Sequence, residues 1–176
     1  DHFHGISKSA VLEHFIKKSN IELNTNLVVA DFYKMLQEAY DNADLKPMDG
    51  SIELFKKLRE KNILVCLDTG YGRNLADKII ERIGFREHID GSCTSDEVAK
   101  GRPYPYMINN LVEKFNLESA QQVVKVGDTV ADVKEGKNAQ TKYTISVLTG
   151  ADSRETLEKE NPDFIFTDLN GLIDFI

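Results

Sequence analysis

From about residue 46 onward, short apolar runs alternate with amphipathic stretches, and the first two runs break off directly into polar Asp/Gly/Thr turns. Ile63-Leu64-Val65-Cys66-Leu67 reads as a strand buried on both faces. Val123-Val124-Lys125-Val126, Tyr143-Thr144-Ile145-Ser146-Val147-Leu148 and Phe164-Ile165-Phe166 repeat the pattern. Helices are predicted between them, over about 51–61, 74–83, 106–115 and 130–138. Such alternation implies a parallel sheet with helices on both faces, an α/β doubly wound, Rossmann-like core.

Before residue 46 the pattern is purely helical. Val11, Leu12, Phe15 and Ile16 recur at helical spacing behind a candidate cap at Ser7. Leu27, Val28, Phe32, Met35, Leu36 and Ala39 form a second stripe. Two helices with no strand between them suggest a hairpin, and Lys46-Pro47-Met48-Asp49-Gly50 is a turn signal at its end. The expected division is a small helical unit over 1–45 and an α/β core over 46–176, a load that 176 residues can carry.

The net charge of -7, from 22 basic and 29 acidic residues spread along the chain, gives no footprint for a phosphate backbone, so nucleic acid is not expected as a partner. No apolar run approaches the roughly 20 residues that span a bilayer, and no basic leader precedes one. A soluble, cytoplasmic protein with no membrane partner is the expectation. Cys66 and Cys93 have no metal-ligand spacing and read as reduced thiols. His2, His14 and His88 have no partner spacing and read as surface or packing residues.

In an open parallel sheet, ligands bind beyond the carboxyl ends of the strands, so the polar residues after each apolar run are the candidates. Asp68-Thr69-Gly70-Tyr71-Gly72-Arg73 offers a hydroxyl at Thr69 and free N–H groups from Gly70 onward, an anion cradle at a helix N-terminus. An ordinary capped turn is the competing reading. In Gly127-Asp128-Thr129-Val130-Ala131-Asp132, two carboxylates four residues apart can converge on a hard cation, the alternative being a capping Asp128 with a solvated Asp132. Gly136, inside the helix that follows, costs about 1 kcal/mol against Ala and so suggests close packing. Lys100-Gly101-Arg102-Pro103-Tyr104-Pro105 presents cations in a stiff loop, able to offset charge on a transferring phosphoryl group.

In order and spacing, Thr69, then Lys100 or Arg102, then Asp128 and Asp132 resemble the second, third and fourth signature motifs of the haloacid dehalogenase-like superfamily, over nearly the whole chain. Thr69-Gly70-Tyr71, Ser95-Asp96-Glu97-Val98 with Gly101-Arg102-Pro103, Gly127-Asp128-Thr129 with Asp132, and Val147-Leu148-Thr149-Gly150 are similar to its phosphonatase-like branch, which carries Arg where most members carry Lys. The resemblance implies a haloacid dehalogenase core with a partial helical cap. It implies that Thr69 binds phosphoryl oxygens, that Arg102 offsets their charge, and that Asp128, helped by Asp132, holds Mg²⁺. His4-Gly5-Ile6-Ser7-Lys8 matches the Met-Gly-x-x-Lys cap segment through which phosphonatases form a Schiff base. Gly5, Lys8, Gly70 and Tyr71 then become substrate-binding candidates. Two departures stand out: His4 replaces the Met, and Val11 replaces a histidine three residues past the lysine.

The superfamily's nucleophile lies in an Asp-x-Asp/Ala-Gly-Thr motif on a first core strand, and nothing between Asp1 and Lys46 reads like it. The expectation is a chain without that strand, inactive alone, whose parent is a Mg²⁺-dependent phosphatase acting on a small phosphorylated metabolite. P–C cleavage of a phosphonate through Lys8 is the runner-up, and a non-catalytic phosphate- or metal-binding fragment is a third reading. The sequence leaves the oligomeric state open, a homodimer included.

Overall fold

The structure, a computed structural model, describes residues 3–19 and 24–175. Two helices come first, α1 (Lys8–Ser19) and α2 (Thr25–Asn42). Asn24 caps α2, its side chain accepting from Leu27 N, and Ser7 Oγ accepts from Ala10 N in the first turn of α1. Strands and helices then alternate: α3 (Ser51–Glu60), β1 (Cys66–Thr69), α4 (Arg73–Arg82), β2 (Gly91–Thr94), α5 (Tyr106–Lys114), β3 (Val124–Gly127), α6 (Val130–Ala139), β4 (Tyr143–Val147), α7 (Arg154–Glu158), β5 (Phe164–Phe166) and α8 (Leu169–Phe175). Every strand pairing is parallel, so the α/β expectation holds.

The strands form two groups. β1 pairs with β2, placing Asp68 opposite Cys93 and Thr69 opposite Thr94, while β3, β4 and β5 form a second sheet in that order. Among the described residues β1 and β3 have no ladder between them, and what joins them is ionic: Lys125 Nζ on β3 lies 2.6 Å from both carboxylate oxygens of Asp68 on β1.

The two faces of the second sheet follow from strand alternation. Ile145 and Val147 point to a core with Leu54 of α3 and Leu169, Leu172 and Ile173 of α8. Thr144 points to the other face, against α6. There Gly136 touches the sheet: a Cβ at that position would collide with Thr144 Cγ2 and lie 3.0 Å from Lys125 Cβ. The close packing read from this glycine is therefore present.

Three details depart from the sequence reading. The apolar run at 63–67 does not enter the sheet until Cys66; Val65 is buried, while Ile63 and Leu64 are 45% and 47% exposed. Its first residues are spent closing the end of α3, with Ile63 N bonded to Leu58 O. β2, of sequence Gly-Ser-Cys-Thr, has no apolar run to announce it and is a strand only because β1 templates it. In the helical pair no residue of α1 or α2 is fully buried, and Leu27 and Met35 of the expected stripe are 63% and 69% exposed. No described helix is long and apolar enough to cross a membrane.

Candidate active site

Each expected strand-end loop sits at the carboxyl end of its strand, and the loops meet. A cleft of about 240 Å³ is lined by His4, Gly5, Ile6 and Lys8, by Thr69, Gly70 and Tyr71, by Arg102, by Asp128 and Thr129, and by Ala151. A larger hollow of about 360 Å³ beside α5 lies away from the strand ends, and Glu113 is the sole charged residue among its described walls.

Thr69 ends β1, and its Oγ1 accepts from Tyr71 N at 3.2 Å, so the hydroxyl both shapes its own turn and faces the cleft. Ser95 braces the same turn, donating Oγ–H to Gly70 O at 3.0 Å. Tyr71 turns its hydroxyl to Tyr40 of α2 at 2.5 Å, and the Lys8 ammonium lies 5.9 Å from the Tyr71 ring centre. Burial, then the bond to Tyr40, pushes the Tyr71 phenol above its ordinary range. Asp128 follows β3 directly. Its Oδ2 accepts from Ala151 N at 2.8 Å, and Gly150 is packed so close that any Cβ would overlap this carboxylate. Lys100 takes no part in the cleft; it lies over the Tyr104 ring at 4.6 Å.

Beneath the cleft lies a cluster that the sequence reading did not assemble. Lys125 Nζ lies 2.6 Å from Asp68, 3.1 Å from Asp132 Oδ1 and 2.9 Å from Glu135 Oε2. Arg102 Nη1 bonds Asp132 Oδ1 and lies 3.8 Å from Asp68. Thr129 supplies both its N–H and its hydroxyl to Asp132 Oδ2, closing a capping box at the start of α6. Burial opposes every charge here, yet Asp132, Asp68 and Glu135 together hold Arg102 above its ordinary range, and the same three carboxylates do so for Lys125. Against the same burial, Lys125 and Arg102 hold Asp132 well below the usual carboxylate range.

Glu135 is the exception. Burial dominates and pushes its carboxyl up to about 7. Its Oε2 meets the ammonium without hydrogen-bond alignment, and Oε1 has no hydrogen-bond partner among the described residues. Two signals for this cluster were in the sequence: a lysine inside an apolar strand, and a glutamate three positions after Asp132 on the same helix face. Neither identifies Asp68 as the third acid.

The donor set bears on the Mg²⁺ that the resemblance implies. Asp68, Asp132 and Glu135 present oxygens within 4.8 Å of one another, but the Lys125 ammonium already stands among them. Asp132 has both oxygens engaged by protein groups. Asp128 lines the cleft with Oδ2 bonded to Ala151 N and Oδ1 without a hydrogen-bond partner among the described residues, and one carboxylate completed by water and substrate oxygens suits Mg²⁺. The residues therefore fit an ion held at Asp128, with Asp132 bracing the loop from behind.

The family model for haloacid dehalogenase-like hydrolases matches residues 1–146. Phosphonoacetaldehyde hydrolase of Parabacteroides distasonis is 38% identical over 117 residues, 65% of this chain and 43% of that protein. The enzyme of the same name from Bacillus cereus is 28% identical over 164 residues, 91% of this chain and 62% of its own length. The chain thus spans about half the length of the curated relatives it matches. Among solved structures, a hydrolase from Pseudomonas syringae superposes with a TM-score of 0.77 at 19% identity, covering 97% of this chain and 80% of that one. A phosphonoacetaldehyde hydrolase-like protein from Oleispira antarctica gives 0.73 at 18%, covering 94% and 69%. At these identities the structures speak for the fold alone.

Proposed function

Because this chain belongs to the haloacid dehalogenase-like hydrolases, we propose that its cleft binds the phosphoryl group of a small phosphate ester for Mg²⁺-dependent hydrolysis. The single observation that carries this reading is the convergence of Thr69, Arg102, Asp128 and Lys8 on one cleft at the strand ends. Thr69 Oγ1 and the Gly70 N–H hydrogen-bond the phosphoryl oxygens, the Tyr71 N–H being taken by Thr69 itself, and Arg102 offsets their charge from below. Asp128, supported by Asp132, holds Mg²⁺, which when bound neutralises charge on the transferring group. Residues 1–45 act as the cap over this site.

The attacking carboxylate, an aspartate that becomes the aspartyl-phosphate, is assigned to a segment outside this sequence. The ladder edges of β1 and β3 that are unpaired among the described residues support a strand between them, since backbone groups left unpaired there are costly.

A second reading is favoured by one observation: Lys8 lines the same cleft, beside Tyr71. An amine there can condense with an aldehyde, releasing water, and the resulting Schiff base permits P–C cleavage of a phosphonoaldehyde; the curated relatives are named for hydrolysis of phosphonoacetaldehyde.

The test is an assay, in a form that includes a preceding nucleophile segment, against a panel of phosphate esters and phosphonoacetaldehyde. Phosphate release that needs Mg²⁺ and is lost in Thr69→Ala and Asp128→Asn is the expected result. Release unchanged by both substitutions would overturn the assignment of the cleft. Borohydride trapping with the aldehyde separates the two chemistries: label at Lys8 selects P–C cleavage, and ester turnover without label removes it.

A further inference from the structure

The roles proposed above leave His4 of the cleft unused, together with the buried Asp152 that it meets. His4 Nδ1 lies 3.1 Å from Asp152 Oδ1. The carboxylate side chain is 4% exposed and the imidazole 57%. Asp152 is held firmly. Its Oδ2 accepts from Val130 N, the first residue of α6, at 2.8 Å, and its own N–H donates to Asp128 O at 3.3 Å. An ionised carboxylate only accepts, so the hydrogen on Nδ1 must be donated to it, and Nε2 is left for other partners.

The loop carrying His4 is seated against both strand-end loops. Gly5 has φ +74°, and a Cβ there would lie 2.5 Å from Thr129 Oγ1. A Cβ on Gly70 would lie 3.0 Å from Ile6 O. Glycine on each side accommodates this close approach, which sets His4 on the wall it shares with Lys8, Thr69, Arg102 and Asp128. As imidazolium the ring donates from both nitrogens, one hydrogen to Asp152 and the other to an anion in the cleft.

We propose that His4 is a further oxyanion-binding residue of this cleft, donating from Nε2 to an oxygen of a bound tetrahedral anion, with Asp152 as its positioning residue. The ligand class is a phosphorylated compound, and the proposal rests on reading the cleft as a phosphoryl site. It adds a donor at the position where the matched cap segment carries a methionine. The imidazole contacts Asp152 from the loop after β4, and the charged groups that share the cleft with it are Asp128 from the loop after β3, Lys8 from α1, and Arg102 from the loop before α5.

Sulfate is the probe, because it is tetrahedral and does not titrate near neutrality. The form that includes the preceding nucleophile segment is titrated with sulfate while imidazole nitrogens are followed by long-range proton–nitrogen NMR and affinity by calorimetry. The expected result is a shift of His4 Nε2 larger than that of Nδ1, with His4→Leu weakening sulfate about tenfold, the size of one charge-assisted hydrogen bond. His4→Gln, which keeps a donor, restores part of the affinity. Asp152→Asn weakens sulfate and removes the contrast between the two nitrogens, a signature that thermal destabilisation alone does not produce.

If sulfate binding falls in Thr69→Ala but His4 Nε2 does not move and His4→Leu binds as the wild type does, this inference fails and the phosphoryl reading stands. If sulfate does not bind the wild type at all, both fail.

Discussion

Two sets of charges lie on either side of the same strand-end loops, and they obey different rules. Below are Asp68, Lys125, Arg102, Asp132 and Glu135, all with side chains at most 12% exposed. Above, on the cleft, are His4 and Lys8, both reaching solvent. The lower set persists only by mutual compensation, since an isolated buried ion costs several kcal/mol and must be paired or neutralised. The upper set is free to be answered by a ligand. A group on the cleft can therefore be removed at small cost to the fold, whereas the lower set is lost as a unit.

The sharpest way to break that contrast is to delete the same side-chain type from each set. Lys125→Met strands three buried carboxylates, with Arg102 as their remaining cation, and is expected to cost about 3–5 kcal/mol or to prevent folding at ordinary temperature. Lys8→Met, which loses a cation lying near the Tyr71 ring, is expected to cost within about 1 kcal/mol. Urea unfolding of the two variants beside the wild type reads both. Equal losses would mean that the buried cluster behaves as surface charge.

A medium effect follows from Glu135. Its folded value, raised to about 7 from 4.5 by burial, means that the folded chain holds this proton more tightly than the unfolded one. Between those two values the folded state binds the extra proton, so stability from this group falls as pH rises and the penalty is complete above about 7. The span corresponds to a loss on the order of 3 kcal/mol. Asp132 acts with the opposite sign at the acid end, where its lowered value makes stability disappear as pH falls below the ordinary carboxylate range. Glu135→Gln is expected to flatten the fall between pH 4.5 and 7 and leave the acid limb in place, which thermal midpoints measured across pH will show.

What the sequence made legible divides along the same line. The loops after β1 and β3 were readable because each follows an apolar run, and chemistry at strand ends is local: Thr69, Gly70, Tyr71 and Asp128 needed no partner from elsewhere to be noticed. The lower cluster was not readable, because Lys125 belongs to β3, Asp68 to β1 and Glu135 to α6, and only the assembled sheet brings them together. The same reasoning explains β2. Gly91-Ser92-Cys93-Thr94 has neither apolar period nor strong strand propensity, and its extended form is imposed by pairing with β1. His4 and Asp152, 148 residues apart, left no local trace of their contact.

The smallest expected effect tests where the helical pair meets the cleft. Tyr40 of α2 reaches Tyr71 by a hydroxyl contact of 2.5 Å and an edge-on ring contact with centroids 5.6 Å apart. Arg82 of α4 holds the same end of α2, donating to Tyr40 O and, at 2.6 Å, to Ala43 O. Tyr40→Phe keeps the rings and the Arg82 contacts while deleting one neutral hydrogen bond, so a loss of about 1 kcal/mol is expected. It also removes the second cause of the raised Tyr71 phenol, after burial. Ultraviolet titration at high pH is therefore expected to show Tyr71 ionising earlier in the variant, yet still later than a free phenol. An unchanged Tyr71 titration would mean that burial alone governs it and that α2 does not tune the cleft through Tyr40.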